Sequence, residues 1–291
     1  MRKESTSRAA YSELFKRFAF APRRKSKARL VGQFPSMRSG SGQEFHSLRE
    51  YAVGDDSRKI DWHHFAKTGN LSVREDIAET NLRIMLLQDL SSSISFGAKA
   101  QELEIFFAFL RYLISDSNNA FATIGFDEKI RVFKKSASGS SAIGVLNRLS
   151  EMISNLDQRK IADLSLAVSA LERFSTRQDI IFFASDFLLG DAASIKTELA
   201  KIALLQELIP VVVRDPREKL SYPNTRFRAM DMESGKIGNA SYAKTQDNFD
   251  RELKDAFVGM NLDFLWLESD NPDDVLGLIV NWLNNRTKRT R

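Results

Sequence analysis

Two apolar runs of the sequence end in carboxylates and hydroxyls, and these polar residues carry its clearest chemical potential. Asp89, Ser91 and Ser93 follow the first run at alternate positions, and Asp186 follows the second. Oxygen donors of this kind suit Mg²⁺, which prefers near-octahedral geometry and keeps several waters. The pattern predicts a Mg²⁺ site in which Ser91 and Ser93 bind the ion directly and Asp89 and Asp186 hold its waters. An open coordination position would then accept an acidic residue from a partner.

The elements that must position these residues are buried strands. The run 83–88 is apolar without helical periodicity and gives way to small polar residues and Gly97, which is typical of a strand buried on both faces. The run 180–184 repeats this pattern. In open α/β sheets, ligands bind at the carboxyl ends of the strands. The two polar clusters are therefore expected to converge if their strands are neighbours.

Apolar strands and helical patterns alternate along the rest of the chain, which predicts an α/β fold with a doubly wound, mostly parallel sheet. The predicted helices span 98–114, 143–153, 164–174, 192–202, 246–258 and 272–284. Further strands are predicted at 120–126, 129–133, 208–213 and 262–267, with a lateral hairpin at 227–241. A short amphipathic helix is predicted at 11–20, where it would dock on the body or on a partner.

Composition excludes several classes of protein. The chain has 291 residues, of which 43% are hydrophobic and 28% charged, as in ordinary globular proteins. No apolar run approaches the roughly 18 residues that span a bilayer, and no apolar signal region follows Met1. The absence of cysteine excludes disulfides, zinc–thiolate sites and thiol catalysis. We expect a cytoplasmic protein without a membrane span.

Charge is distributed unevenly along the chain. The net charge is +5, but residues 1–30 carry +8 and residues 286–291 carry +4, so that residues 31–285 carry −7 by subtraction. An acidic body argues against a nucleic-acid groove within it, and nucleic acid is not an expected partner. Basic ends are usually solvated tails. The alternative is that these ends bind nucleic acid or an anionic surface.

The densest polar segment lies upstream of the first strand. Its polar and aromatic residues include Glu44, Arg49, Tyr51, Gly54, Asp55, Asp56, Arg58, Asp61 and Trp62. We expect a turn at 54–56 and an ion-pair network pinned by Tyr51 and Trp62, which would make the segment a structural clasp. A ligand site is the alternative. His63 and His64 are predicted to lie on a strand and to point to opposite faces, so that they would not act together.

Two motifs, one at 44–66 and one at 89–93, resemble those of a known family. Asp89-Leu-Ser91-Ser-Ser93 resembles the Asp-x-Ser-x-Ser motif of von Willebrand factor A-type domains, which forms their metal-ion-dependent adhesion site (MIDAS). The segment 44–66 resembles the signature of the bacterial domain of unknown function 58, a von Willebrand factor A-like group commonly linked to MoxR-type AAA+ ATPases. The resemblance covers about residues 30–285. It implies a three-layer α/β/α (Rossmann-like) domain that mediates protein contacts and is not an enzyme.

The resemblance also suggests domain boundaries. A basic N-terminal segment at 1–29 would precede the extension that carries the family signature, at 30–80. The von Willebrand factor A-like domain would span 81–285, and residues 286–291 would form a basic tail.

The chain departs from the family at its second metal loop. Relatives usually place a threonine before an Asp-Leu pair, whereas this chain has Ala162 before Asp163 and Leu164, and alanine cannot bind a metal. The third loop keeps its acid, Asp186. The missing hydroxyl should weaken Mg²⁺ binding, and a hydrogen-bonded turn without metal is the alternative. In that case Lys160 would neutralise the acids in place of a cation.

The predicted function is that of an adaptor or co-chaperone. It would bind a MoxR-type AAA+ ATPase or its client through the face around Asp89, Ser91, Ser93 and Asp186. A metal-dependent phosphoester hydrolase is the alternative from another class, because paired acids that hold Mg²⁺ support that chemistry. No separate nucleophile or base is placed beside the acids in the sequence, which argues against hydrolysis.

Overall fold

The structure is a computed structural model that describes most of the chain. The described residues are 15, 20, 45–52, 55–76, 82–116, 119–156, 161–175, 179–219, 228–230, 237–239 and 242–290. The chain divides into two compact units, one formed by 27–81 and the other by 1–26 together with 82–291. The predictions made for Glu44, Gly54 and Lys160, and for most of the helix at 11–20, lie outside the described residues.

The smaller unit contains a two-stranded antiparallel sheet and a short helix. Strand β1 (Phe45–Glu50) pairs with β2 (Ser72–Asp76), and helix α1 (Trp62–Thr68) lies between them in sequence. Asp61 caps α1 by accepting a hydrogen bond from the backbone N–H of His64 at 2.9 Å. Gly69, with φ of 74°, ends the helix in the left-handed conformation that glycine adopts without strain. The strand predicted for His63 and His64 is therefore wrong, because a cap and a glycine enclose one helical segment.

The larger unit is built on a six-stranded sheet. Its strands are β3 (Arg83–Asp89), β4 (Ala120–Phe126), β5 (Ile130–Ala137), β6 (Asp179–Ser185), β7 (Glu207–Arg214) and β10 (Leu265–Glu268). Between β7 and β10 in sequence, β8 (Arg228–Met230) and β9 (Ile237–Asn239) form a separate two-stranded sheet. The order across the six-stranded sheet is β10-β7-β6-β3-β4-β5. All neighbouring pairs are parallel except β4 with β5. The antiparallel hairpin expected at 227–241 is confirmed by the pairing of β8 with β9.

In the part of the chain that the structure describes, six helices cover the two faces of this sheet. They are α2 (Lys99–Asp116), α3 (Gly139–Ser154), α4 (Leu164–Phe174), α5 (Ala192–Leu205), α6 (Tyr242–Gly259) and α7 (Pro272–Thr290). Ile84 and Leu86 of β3 pack in the core formed with α2, α3 and α7, whereas Met85 and Leu87 pack in the core formed with α4, α5 and α6. A strand buried on both faces is expected to be almost continuously apolar, as residues 84–87 of β3 are. The predicted three-layer α/β/α fold is confirmed.

Both ends of the larger unit correct the predicted domain boundaries. Phe15 is fully buried, and its ring lies 5.3 Å from that of Phe109 between centroids. Phe15 is thus part of the aromatic core of the main domain. At the other end, α7 continues to Thr290, and the buried guanidinium of Arg286 pairs with Asp263 and Glu207. The basic tail predicted at 286–291 is therefore wrong at Arg286, whose charge is neutralised within the fold.

Within the described part of the chain, no helix has the length and apolar character needed to cross a membrane.

Candidate functional site

The carboxyl ends of β3 and β6 bring the predicted site residue Asp89 together with Ser185, the residue before Asp186, at one edge of the sheet. These strands are parallel neighbours, with Gln88 opposite Ala184, so that the next residues, Asp89 and Ser185, come together. The Ser185 hydroxyl donates a hydrogen bond to Asp89 Oδ2 at 2.7 Å. Both side chains are fully buried. The convergence expected from the two strand ends is thus present.

The loop after β3 folds back on the Asp89 carboxylate. The backbone N–H of Ser91 donates to Asp89 Oδ1 at 2.7 Å, and the hydroxyl oxygens of Ser91 and Ser93 lie 3.0 Å apart. All three side chains are buried. Burial, together with the neighbouring charge of Asp186, raises the pKa of Asp89 to about 7. The hydroxyls of the Asp-x-Ser-x-Ser motif therefore bond to each other, and its carboxylate accepts from the chain.

A buried lysine binds the second acid of the site. Lys99, the first residue of α2, is fully buried, and its Nζ lies 2.8 Å from Asp186 Oδ2 and 2.6 Å from Glu218 Oε1. Burial alone would lower the pKa of Lys99, but the two carboxylates outweigh it and hold that pKa above its ordinary value. Burial likewise opposes ionisation of Asp186, but the charges of Lys99 and Arg214 outweigh it and lower the pKa of Asp186. The site contains an ion-paired ammonium that was not predicted from the sequence.

A third strand end joins the same edge through Asp215, which follows β7. Its carboxylate accepts from the backbone N–H of Ala98 at 2.6 Å and from the Arg217 guanidinium at 2.7 and 2.8 Å. Hydrogen bonding by Arg217 lowers the pKa of Asp215 to about 2. Gly97 has a φ of 64°, and a Cβ at this position would overlap the Asp215 carboxylate. The loops after β3 and β7 are thereby fastened together directly in front of Lys99.

The Arg214 side chain fixes the carboxyl end of β7 through contacts with α6 and with the end of β6. It is fully buried, pairs with Asp250 of α6 at 2.9 Å and donates to the backbone carbonyl of Asp186. Its guanidinium carbon lies 5.9 Å from the ring centroid of Phe249 and 5.6 Å from that of Trp266, within the range of cation–π attraction. Arg214 is thus held by an acid of α6, a backbone carbonyl of the site and two aromatic rings, and it keeps the end of β7 in place.

Ala162 lies where the resemblance predicts a further metal ligand. It is buried in the apolar cluster between the sheet and α4 to α6. The next residue, Asp163, donates its N–H to the backbone oxygen of Asp127 at 3.1 Å, and its carboxylate caps α4 by accepting from Leu166 N at 3.0 Å. This loop therefore presents a methyl group, and its acid serves the helix.

The donor set does not fit a directly bound divalent ion. Asp186 and Glu218 already bind the Lys99 ammonium, the Ser91 and Ser93 hydroxyls bond to each other, and Ala162 supplies no oxygen. In the part of the chain that the structure describes, no three His, Asp or Glu side chains are grouped as a metal site would require. Mg²⁺ binding stays a prediction, and this arrangement does not favour it.

The segment upstream of β3 forms local ion pairs. Arg49 binds Asp55 through two hydrogen bonds of 2.7 Å, which lower the pKa of Asp55 to about 2. Asp56 accepts from the backbone N–H of Arg58 at 3.0 Å. The Trp62 side chain is 61% exposed and meets only Phe65 edge-on among the described rings, so the predicted pinning by Trp62 is wrong. The backbone N–H of Tyr51 donates to Leu71 O at 3.0 Å.

Glu102, one turn after Lys99, gives a measurable pH dependence. It is fully buried, accepts from Ser269 N at 2.8 Å and from the backbone of Arg214, and has Lys99 and Asp215 as its charged neighbours. Burial raises the pKa of Glu102 to about 8 from 4.5. The folded protein therefore holds a proton that the unfolded chain releases, and stability falls as the pH rises between these two values.

We expect Glu102→Gln, which cannot titrate, to remove this dependence. Between about pH 5 and about pH 7, the wild-type protein should lose up to about 3 kcal/mol of unfolding free energy relative to the variant. Urea denaturation at both pH values measures the difference, with the exposed Glu151→Gln substitution as the matched control. Parallel pH profiles for wild type and Glu102→Gln would contradict the assignment.

Comparison with known proteins shows the family. The family model described as protein of unknown function DUF58 matches residues 47–256. An uncharacterized protein of Mycobacterium bovis is 28% identical over 200 residues, which are 65% of this chain and 60% of that protein. An uncharacterized protein of Mycobacterium tuberculosis matches with the same figures. The chain thus spans about three fifths of the length of the curated relatives it matches.

Solved structures with similar architecture include von Willebrand factor A-type proteins. The conserved hypothetical protein BatB from Bacteroides thetaiotaomicron aligns with a TM-score of 0.45 at 15% identity, over 71% of this chain and 99% of that one. A von Willebrand factor type A protein from Catenulispora acidiphila aligns with a TM-score of 0.41 at 10% identity, over 72% of this chain and 42% of that one. Since the family model matches well over half of its length, the chain belongs to the family described as protein of unknown function DUF58.

Proposed function

We propose that this protein is a non-enzymatic interaction module that binds other proteins through the carboxyl edge of its sheet. The observation that carries the proposal is a set of accessible apolar side chains on the loops at this edge. Phe96 is 38% exposed and Ile161 47% exposed, and Leu188 and Leu189 are partly exposed. We call these four residues the docking edge. Accessible apolar side chains that are flanked by polar residues are typical of protein-binding surfaces.

The four residues follow different strands but belong to one edge. Phe96 lies in the loop after β3, and Leu188 and Leu189 lie in the loop after β6. Ile161 precedes Asp163, whose backbone bonds to Asp127 at the end of β4. Because β3, β4 and β6 are parallel neighbours, their carboxyl ends share one edge of the sheet. A binding partner would meet all three loops together.

Charge at the docking edge favours a partner that combines apolar and acidic side chains. The Arg217 side chain is 60% exposed, and its guanidinium carbon stands 5.6 Å from the ring centroid of Phe96. Asp215 neutralises part of that charge through its hydrogen bonds with Arg217. An acidic side chain of the partner could reach the accessible part of the guanidinium, and apolar side chains would cover Phe96 and Ile161.

Occupied acids favour interaction over hydrolysis. Asp89 accepts from Ser185 and from the chain at Ser91, and Asp186 binds the Lys99 ammonium. A phosphoester hydrolase needs a base or a metal-bound water beside its substrate. The two acids that a metal-dependent hydrolase would use here are thus already engaged by protein donors. The alternative of a metal-dependent hydrolase therefore has less support than an interaction module.

The proposed partner is a MoxR-type AAA+ ATPase or its client, for which the protein would serve as adaptor or co-chaperone in the cytoplasm. This part of the proposal rests on the family resemblance.

We expect Ile161→Glu to weaken binding to the purified ATPase of the same organism at least about tenfold, or about 1.4 kcal/mol. A carboxylate at the docking edge would be desolvated on binding and would repel an acidic partner. Biolayer interferometry measures the affinity. The matched control is Leu204→Glu, because Leu204 is 78% exposed at the end of α5, at the opposite edge of the sheet. Equal losses in both variants, or full affinity in Ile161→Glu, would contradict the proposed edge.

A further inference from the structure

A fully buried lysine is the least expected feature of the candidate site. Lysine is almost never fully buried unless its charge is paired. The Lys99 ammonium has two carboxylate partners, Asp186 Oδ2 at 2.8 Å and Glu218 Oε1 at 2.6 Å. Asp186 is fully buried and the Glu218 side chain is 9% exposed. Both acids are thus neutralised by one cation that belongs to the chain.

Hydrogen bonds made by the loop after β7 set the position of this ammonium. The Asp215 carboxylate accepts from Ala98 N at 2.6 Å and so holds the residue before Lys99. Glu218 N donates to the carbonyl of Asp215 at 2.9 Å, which places the second carboxylate in the same turn. One short loop after β7 therefore grips the backbone next to Lys99 and also binds its ammonium. Such a clamp is expected of a built cation site.

A divalent ion at this site would meet the positive charge of Lys99 and hydroxyls that already bond to each other. It would have to approach Asp186 while the Lys99 charge lies 2.8 Å from the same carboxylate, and like charges repel strongly where water is excluded. It would also have to separate the Ser91 and Ser93 hydroxyls, which lie 3.0 Å apart. Ala162 offers no compensating oxygen. The ion could bind only if Lys99 left its two partners.

We propose that Lys99 is the permanent cation of this site and takes the place that a divalent metal would hold. The site then keeps its shape without metal, and binding at the docking edge does not depend on Mg²⁺. The statement about binding rests on the proposed function, whereas the charge balance of the site does not. It holds whether or not the partner is an ATPase.

Titration with Mn²⁺, followed by electron paramagnetic resonance of the free ion, tests the inference. Mn²⁺ binding at this site would be lost in the Ser91→Ala/Ser93→Ala double variant. The wild-type protein should show no saturable binding of this kind. Lys99→Ala, which frees Asp186 and Glu218 and opens space beside them, should bind Mn²⁺ at least about tenfold more tightly than wild type. The matched control is Lys196→Ala, at an exposed position of α5, which should behave as wild type does.

The outcomes separate clearly. Saturable binding by wild type that the double serine variant removes would overturn the proposal, and so would a folded Lys99→Ala that binds no better than wild type. Should Lys99→Ala fail to fold, the wild-type titration decides alone, since binding that depends on the two serines overturns the proposal and its absence supports it. Binding that survives the serine substitutions lies elsewhere on the protein and counts as absence at this site. Failure of the ATPase to bind would leave these results unchanged.

Discussion

Replacing Lys99 with methionine is expected to lower the free energy of unfolding by about 3–5 kcal/mol. Methionine has a similar length but no charge, so Asp186 and Glu218 would remain buried without the ammonium that binds both of them. Removing one partner of a buried ion pair costs more than the pair contributes, because the remaining charge has lost its solvation. Urea denaturation at neutral pH, followed by circular dichroism, measures the loss.

The matched control for this prediction is Lys196→Met. Lys196 lies at an exposed position of α5, where a substitution should change stability by less than about 0.5 kcal/mol. Adding Asp186→Asn to Lys99→Met removes one of the uncompensated charges and should restore part of the stability. If Lys99→Met were as stable as Lys196→Met, the ion pairs around Lys99 would not exist in solution.

Replacing Phe15 with alanine is expected to cost about 3–5 kcal/mol of unfolding free energy. Phe15 is fully buried in the core formed with α2, α3 and α7, and its ring lies 5.3 Å from that of Phe109 and 6.1 Å from that of Tyr112. The substitution would leave a cavity between aromatic side chains that cannot collapse fully. The melting temperature and the urea midpoint both report the effect.

Phe133→Ala is the matched control for Phe15, because Phe133 is 42% exposed on the edge strand β5. We expect it to cost about 1 kcal/mol or less. A large difference between the two variants would establish that the N-terminal segment contributes to the core of the main domain. Equal and small effects would mean that Phe15 does not occupy its buried position.

The strand ends of the candidate site could be predicted from the sequence because they depend on local patterns. A strand buried on both faces is apolar throughout, and its polar successor marks the carboxyl edge. Asp89 and Asp186 needed only the further condition that β3 and β6 be neighbours, which the structure meets. The same pattern recurs at the end of β7, where Arg214 and Asp215 follow the apolar run. That signal was present in the sequence and could have added Asp215 to the candidates.

Lys99 and Glu218 could not be predicted in the same way. They are separated by more than a hundred residues, and their contact depends on how the loops after β3 and β7 meet. In the sequence, Lys99 resembles any lysine at the start of a helix, and such residues are usually solvated. Only the tertiary structure reveals that Asp215 draws the backbone at Ala98 inward and so buries the neighbouring ammonium.

The short helix α1 was mistaken for a strand for a different reason. Its seven residues are too few for helical periodicity to be distinguished from alternation. Its boundaries are nevertheless encoded locally, because Asp61 caps its first turn and Gly69 ends its last. The charge of the C-terminal residues predicts a solvated tail. Arg286 instead pairs with Asp263 and Glu207 inside the fold.

A crystal structure of the wild-type protein, grown in excess Mg²⁺, would show whether Lys99 or a divalent ion neutralises the acids of the site. We predict that the Lys99 ammonium lies within hydrogen-bonding distance of Asp186 and Glu218, with the Ser91 and Ser93 hydroxyls bonded to each other and no ion between them. An octahedrally coordinated ion bound to Ser91 and Ser93, with the Lys99 side chain turned away from Asp186, would contradict it.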